Sequence, residues 1–101
     1  MAKIALDRAR IAAFCERHNI ARMSLFGSVL RDDFGPESDV DVLVEFVPGK
    51  GPGFFELVEM EYEFAELLGT AHKVDLRTPH ELSKYFREEV VAGAEMLYAA
   101  A

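Results

Sequence analysis

The segment 39–46, in which every second residue is apolar, constrains the fold of this chain most strongly. Successive side chains of a strand point to opposite faces, so apolar residues at every second position predict a strand with one buried face. The apolar face carries Val40, Val42, Val44 and Phe46. The other face carries Asp39 and Asp41, followed by Leu43 and Glu45. The run therefore predicts a strand that presents two carboxylates on one side.

Apolar periodicity and turn residues predict the remaining elements. Helices are predicted over residues 3–17, 54–68 and 78–98, strands over 22–26 and 73–77, and a helical turn over 28–31. Thr78 and Glu81 form a capping box at the start of the last helix, which should bury Leu82, Phe86, Val90 and Leu97. This order predicts an α/β (α+β) fold, with a small mixed sheet of three to four strands packed by helices. We expect one domain over residues 1–101.

Composition excludes several classes of protein. The chain has 101 residues, half of them hydrophobic, which suffices for one modest core. Its net charge of −7 argues against nonspecific nucleic-acid binding, which depends on cationic side chains. No apolar run is long enough for a membrane span, and the first residues lack the pattern of a signal peptide. A single cysteine, Cys15, fits a helical core position and a reducing compartment, so we expect a cytoplasmic protein.

Gly27 and Ser28 follow the first predicted strand and precede Asp39 by a spacer of ten residues. Glycine has no side chain, so a phosphate group can approach the main chain closely there. The amides that open the following turn favour anions, and the Ser28 hydroxyl adds one donor. A Gly-Ser pair alone is also consistent with a purely structural turn. Its spacing from the aspartates favours a phosphate site.

Asp39 and Asp41 should lie a few ångströms apart and repel each other unless a cation lies between them. Mg²⁺ prefers oxygen ligands and binds carboxylates together with substrate phosphates. Asp75 can join them if the third strand lies beside the second, and three carboxylates could hold two ions. Alternatively, Asp75 pairs with Lys73 or Arg77. The pattern predicts a site for a nucleoside triphosphate with Mg²⁺.

The Gly27-Ser28 pair, the ten-residue spacer and the Asp39-Val40-Asp41 strand resemble the signature of the DNA polymerase beta-like nucleotidyltransferase superfamily. The small size and the Asp75 strand are similar to its minimal nucleotidyltransferases of the MntA type. The resemblance implies a nucleotidyltransferase fold and ATP as substrate. It also implies Ser28 at the triphosphate, Mg²⁺ on Asp39 and Asp41, and Asp75 as the third catalytic carboxylate. Arg31 is the only basic residue in the spacer, where it either binds the triphosphate or pairs with Asp32 or Asp33.

The resemblance further implies an antitoxin that transfers AMP from ATP to a tyrosine of a HEPN-type toxin. The acceptor must come from another protein or from a second copy of the chain, so a homo-oligomer is one alternative. The alternative to catalysis is a non-catalytic binding module that neutralises its partner by occlusion. Helix 54–68 carries five glutamates and no Lys or Arg, which suits either a basic partner or solvent. We expect Phe54 and Phe55 to pack in the core rather than stack on a base, and Tyr62 to be a half-buried packing residue.

Overall fold

The structure, a computed structural model, describes residues 5–32, 34–81 and 84–100, and only the backbone of residues 84–87. It contains three helices, α1 (Arg8–Arg17), α2 (Phe54–Leu68) and α3 (Lys84–Gly93). It contains four strands, β1 (Ile20–Phe26), β2 (Val40–Phe46), β3 (Val74–Arg77) and β4 (Glu95–Ala99). Two 3₁₀ turns lie at Gly27–Leu30 and Pro79–Glu81. Within the described residues, no helix combines the length and the apolar character needed to cross a membrane.

The four strands form one mixed sheet in the order β3-β2-β1-β4. Strand β1 is antiparallel to both β2 and β4, whereas β2 and β3 are parallel. Parallel neighbours require a crossover connection, and α2 supplies it between β2 and β3. The predicted mixed sheet packed by helices is therefore confirmed, with four strands.

The main core lies where α1 and α2 cover one face of the sheet. Val40, Val42 and Val44 of β2 are fully buried there, as the alternating pattern predicted. The rings of Phe14 in α1 and Phe64 in α2 lie 5.0 Å apart. Helix α3 covers part of the opposite face, where Phe26, Leu43 and Val90 form a smaller buried cluster. The two sheet faces thus differ: one is a closed core and the other is only partly covered.

Helix α1 begins later than the sequence pattern predicts. The side chain of Asp7 accepts a hydrogen bond from the Arg10 amide at 3.2 Å and caps the helix, so the first helical residue is Arg8. Residues 1–4, including the predicted start, lie outside the described residues. At the other end, Asn19 has φ 59°, the left-handed conformation that asparagine tolerates after a helix.

The predicted helix over residues 78–98 is wrong at its C-terminal end, because α3 ends at Gly93 and Glu95–Ala99 form β4. Glycine is a poor helix former, and β4 pairs with the edge of β1, whose backbone groups would otherwise lack strand partners. Val90 and Leu97 are buried as predicted, Leu97 in a strand. Leu82 and the side chain of Phe86 lie outside the described residues. Glu81 accepts hydrogen bonds from the amide and hydroxyl of Thr78, both at 3.2 Å, but this cap opens a 3₁₀ turn.

The prediction that the aromatic residues of α2 pack in the core is also wrong for three of them. Phe54, Phe55 and Tyr62 are 74%, 81% and 76% exposed. They lie on the outer side of α2, whereas Met60 and Phe64 on its inner side are buried against the sheet.

Candidate active site

Gly27 and Asp41 are in direct contact where β1 ends. Phe26 pairs with Asp41 in the antiparallel β1–β2 register, so Gly27 follows just beyond that carboxylate. A Cβ atom built on Gly27 would lie 2.6 Å from Oδ2 of Asp41, and Gly27 has φ +76°. Both the contact and the backbone conformation disfavour a larger residue. The sequence predicted a close approach at Gly27 by phosphate, and the structure adds a close approach by the Asp41 carboxylate.

Ser28 links the turn to the start of β2. Its hydroxyl donates to the backbone oxygen of Asp39 at 3.4 Å, and its own carbonyl accepts from the Arg31 amide at 2.9 Å. The two halves of the predicted motif, Gly27-Ser28 and Asp39-Asp41, are therefore adjacent in the fold. Asp39 itself precedes the first residue of β2.

The spacer between these halves is held against the loop before β3. Nδ1 of His72 lies 2.8 Å from the backbone oxygen of Ser38, and the His72 ring lies 4.5 Å from the ring of Phe34. The hydroxyl of Ser38 accepts from the Gly35 amide at 3.0 Å. These contacts fix the backbone immediately before Asp39.

Asp41 and Asp75 are neighbours, because the parallel β2–β3 register pairs them directly. Burial raises the pKa of the Asp41 carboxyl, and the negative charges of Asp75 and Asp39 raise it further. The cations of Arg77 and Arg31 oppose this shift in part. The region around Asp41 therefore carries an excess of negative charge that a bound cation would relieve.

The carboxylate oxygens do not converge as a closed metal cage. Asp75 forms an ion pair with Lys73, whose Nζ lies 3.5 Å from its Oδ1. Throughout residues 5–32, 34–81 and 84–100, no three His, Cys, Asp or Glu side chains form a metal-holding group. Asp39 and Asp41 nevertheless offer the hard oxygen donors and local negative charge that suit Mg²⁺. The site built from Asp39, Asp41 and Asp75 stays a prediction.

A cleft of about 660 Å³ opens beside Asp41. Sites for small molecules usually measure about 300 to 1,000 Å³, so a nucleotide fits this volume class. Of the predicted site residues, Gly27, Ser28, Arg31 and Asp41 line the cleft, whereas Asp39 and Asp75 do not. Phe26 and Leu30 add apolar surface on the same side.

Helix α3 forms the opposite wall through Glu89, Val90 and Gly93, which sequence reasoning did not identify as site residues. The sequence pattern predicted a helix running through this region to residue 98, which gave no reason to expect a cleft. Gly93 was the available signal, because a glycine inside a predicted helix indicates either a helix end or a close approach.

The family model of the nucleotidyltransferase domain matches residues 9–95. The chain belongs to the nucleotidyltransferase domain family. The match includes the Gly27 turn, β2, β3 and the α3 wall of the cleft, and it confirms the predicted enzyme class.

Three similar proteins refine this assignment. A candidate protein adenylyltransferase of Methanocaldococcus jannaschii is 32% identical over 84 residues, which cover 83% of this chain and 86% of the relative. The structure of a candidate minimal nucleotidyltransferase matches with a TM-score of 0.69 and 31% identity, covering 86% of this chain and 85% of the other. These similarities confirm that this nucleotidyltransferase resembles the minimal type.

The third similar protein comes from a complex of a tri-AMPylated Shewanella oneidensis HEPN toxin with an MNT antitoxin. The match has a TM-score of 0.64 and 20% identity, and it covers 92% of this chain and 70% of the matched one. At this identity the similarity shows a shared fold, the nucleotidyltransferase fold.

Proposed function

We propose that this nucleotidyltransferase transfers AMP from ATP to a tyrosine hydroxyl of a HEPN-type partner protein and so acts as its antitoxin. The observation that carries the proposal is the contact of the Gly27 turn with Asp41, which has Asp75 in register beside it. The relative named as a candidate protein adenylyltransferase supports AMP transfer to protein. The fold shared with the toxin–antitoxin complex supports the partner class.

The triphosphate would lie along the side of the cleft formed by Gly27, Ser28 and Arg31. Gly27 presents main chain without a side chain, and Ser28 offers a hydroxyl donor. Arg31 lines the same cleft, so its guanidinium can reach phosphate oxygens, which it binds through paired hydrogen bonds. The apolar surface of Phe26, Leu30 and Val90 remains for the nucleoside.

Asp39 and Asp41 would hold Mg²⁺. Asp75 would join them once its ion pair with Lys73 is broken, and three carboxylates could then hold a second ion. When bound, Mg²⁺ neutralises charge that develops on the phosphate oxygens during transfer. In the reaction, the tyrosine oxygen forms a bond to the α-phosphorus and the bond to the β-phosphate bridge breaks, releasing pyrophosphate. Asp75 would accept the hydroxyl proton, which is supported by its register beside Asp41, whose carboxylate would hold the ion at the reacting phosphate.

Mass spectrometry of the co-expressed HEPN-type partner tests this proposal. The wild-type chain should add the mass of one or more AMP groups, and the Asp41→Asn chain should add none. Asp7→Asn is a matched control, because it removes the same charge at the cap of α1, where asparagine serves equally well. An unmodified partner with the wild-type chain, or equal modification with Asp41→Asn, would contradict catalysis.

Neutralisation by occlusion is the second candidate function. It is favoured by the Lys73–Asp75 ion pair and by the absence of a three-carboxylate group within the described residues. Occlusion predicts that Asp41→Asn still binds the partner and still protects cells. Catalysis predicts that the same variant binds but fails to protect, so one growth assay separates the two functions.

A further inference from the structure

Helix α2 presents a mixed aromatic and acidic surface to solvent. Phe55, Glu59, Tyr62 and Glu66 are spaced by three or four residues and so share one side of the helix, and all four are exposed. Phe54 extends this surface at the start of α2, with its ring 5.6 Å from that of Phe55. These five residues are called the α2 outer face below.

Folding does not account for the aromatic residues of this face. Met60 and Phe64 already bury the inner side of α2, and the outer aromatic side chains are each about three-quarters exposed or more. Among the described Phe and Tyr side chains, all the exposed ones lie on this helix. Clustered exposed apolar residues mark interaction sites, and Phe and Tyr are enriched in protein interfaces.

A groove of about 480 Å³ continues the α2 outer face toward the edge of the sheet. Tyr62 and Val58 form its α2 side, and His72 and Val74 form its other side. The groove is unsuited to a strand added beside β3, because the outward-pointing Leu76 amide already donates to Oε2 of Glu61 at 2.8 Å. A partner would therefore contribute side chains to the groove, as a helix or folded surface does.

Charge decides what kind of partner fits. Helix α2 contains no Lys or Arg, and Glu56, Glu59 and Glu66 are exposed. A second copy of the chain carries the same net charge of −7 and would bring acidic α2 against acidic α2. A basic surface would instead pair with the glutamates, and its Arg or Lys side chains would stack on Tyr62 and Phe55.

We propose that the α2 outer face is the docking surface for a basic region of the acceptor protein. This inference rests on the proposed function, which supplies that acceptor. Strand β3 lies at one edge of the sheet, with the groove on its α2 side and Asp75 on the same face as Asp41. A protein docked on α2 thus reaches around a single short strand to bring its hydroxyl beside Asp75.

The test uses the double variant Phe55→Ser/Tyr62→Ser with the purified co-expressed acceptor protein. Both side chains are largely exposed, so the thermal unfolding midpoint should be unchanged. Calorimetry should show acceptor binding at least tenfold weaker. The KM for the acceptor should rise in parallel, whereas kcat at saturating acceptor and the affinity for Mg²⁺ with ATP should not change.

A second experiment compares two variants that change the net charge by the same amount. Glu59→Lys on the α2 outer face should weaken acceptor binding at least tenfold. Glu16→Lys on the exposed side of α1 should leave it unchanged. Equal effects of the two would mean that overall charge, not this face, governs association, and would overturn the docking surface.

The outcomes separate this inference from the proposed function. If the wild-type chain modifies the acceptor and the double variant does so with the same Kd and KM, the docking surface is wrong and the proposed function stands. If the wild-type chain binds the acceptor without transferring AMP, the proposed function fails. The binding measurements still determine whether the α2 outer face is the docking surface. Absence of any wild-type binding overturns the surface. A self-associated wild-type chain that the double variant converts to monomer would assign the face to a second copy and overturn the proposal.

Discussion

Two separate constraints act on the residue at position 27. Its φ of +76° favours glycine, and its missing Cβ leaves room for the carboxylate of Asp41. Gly49 has a similar φ of +80°, but no atom lies within 4 Å of a Cβ built there. Comparison of the two glycines therefore separates the effect of backbone strain from the effect of the contact with Asp41.

We expect Gly27→Ala and Gly49→Ala each to lower the free energy of unfolding by more than about 1 kcal/mol, with a larger loss at Gly27 because of its contact with Asp41. Only Gly27→Ala should also displace Asp41, and a displacement of about 1 Å at a reacting centre costs about 100-fold in rate. Urea denaturation and an AMP-transfer assay measure the two effects. Equal activity of the two variants would show that the Gly27–Asp41 contact is dispensable.

The raised pKa of Asp41 predicts a pH-dependent stability for the metal-free protein. Because the folded-state pKa lies above the unfolded value of 3.8, the stabilising contribution of Asp41 is fully present below that value. It is lost as the pH rises through the folded-state pKa. Asp41→Asn should therefore unfold at higher urea concentration than the wild type at pH 7, and this difference should shrink toward pH 4.

Mg²⁺ provides the complementary measurement, because a ligand that binds only the folded state stabilises it. It should raise the unfolding midpoint of the wild type and of Asp7→Asn but not that of Asp41→Asn. A lower midpoint for metal-free Asp41→Asn at pH 7 would mean that Asp41 contributes a net favourable interaction, contrary to its raised pKa.

Types and spacing tied to phosphate and metal chemistry predicted Gly27, Ser28, Arg31 and Asp41 as site residues, and all four line the cleft. Sequence reasoning did not identify the contact between Gly27 and Asp41, which depends on the β1–β2 register. Register joins residues distant in sequence, and hydrophobic alternation alone does not determine which residues face each other across strands.

At the scale of elements, the short edge strand β3 is held by α2 as well as by β2. The Glu61 carboxylate accepts the Leu76 amide on the side of β3 that has no strand neighbour. Asp75 is the residue before Leu76, so this bond restrains the backbone that positions it. We therefore expect Glu61 to help position Asp75 as well as to stabilise β3.

Glu61→Ala should lower the free energy of unfolding by about 1 to 3 kcal/mol, because it removes the acceptor of a partly buried amide. Glu66→Ala, on the exposed side of the same helix, should change it by less than about 0.5 kcal/mol. Hydrogen exchange of the Leu76 amide provides a local readout and should accelerate only in Glu61→Ala. Unchanged exchange there would exclude this role for Glu61.

Elements with a strong repeating pattern were predictable. Helix α2 has the predicted bounds, because its inner stripe is apolar and Gly69, with φ 66°, ends it. Strand β2 begins one residue later than predicted, at Val40. Strand β4 was missed because Glu95–Ala99 has no alternating pattern of its own, and pairing with β1 stabilises it as a strand. Long-range pairing of this kind overrides local preference.

At the scale of the whole molecule, the closed core contains the single cysteine. Cys15 is fully buried, and burial, reinforced by the charge of Glu16, raises its pKa to about 12. Its neutral thiol therefore contributes stability that is fully present below 9.0 and is lost as the pH rises toward 12. At neutral pH the thiolate is scarce and inaccessible in the folded state.

Cys15 should consequently react with a disulfide reagent only when the molecule opens globally. The labelling rate should follow the opening equilibrium, falling about tenfold for each 1.4 kcal/mol of added stability when Mg²⁺ and ATP bind. Time-resolved labelling with and without these ligands measures this relation. Fast labelling under native conditions, insensitive to both, would indicate local opening around α1 instead.

The parallel pairing of Asp41 with Asp75 also bears on how the enzyme matures during synthesis. A nascent chain that has left the ribosome only through β2 already exposes Gly27, Ser28, Asp39 and Asp41, but the strand that flanks them has not yet emerged. The second acidic strand arrives only after α2 has been made and has crossed the sheet. A truncated product ending before β3 would thus lack Asp75 and would leave β2 without its parallel neighbour.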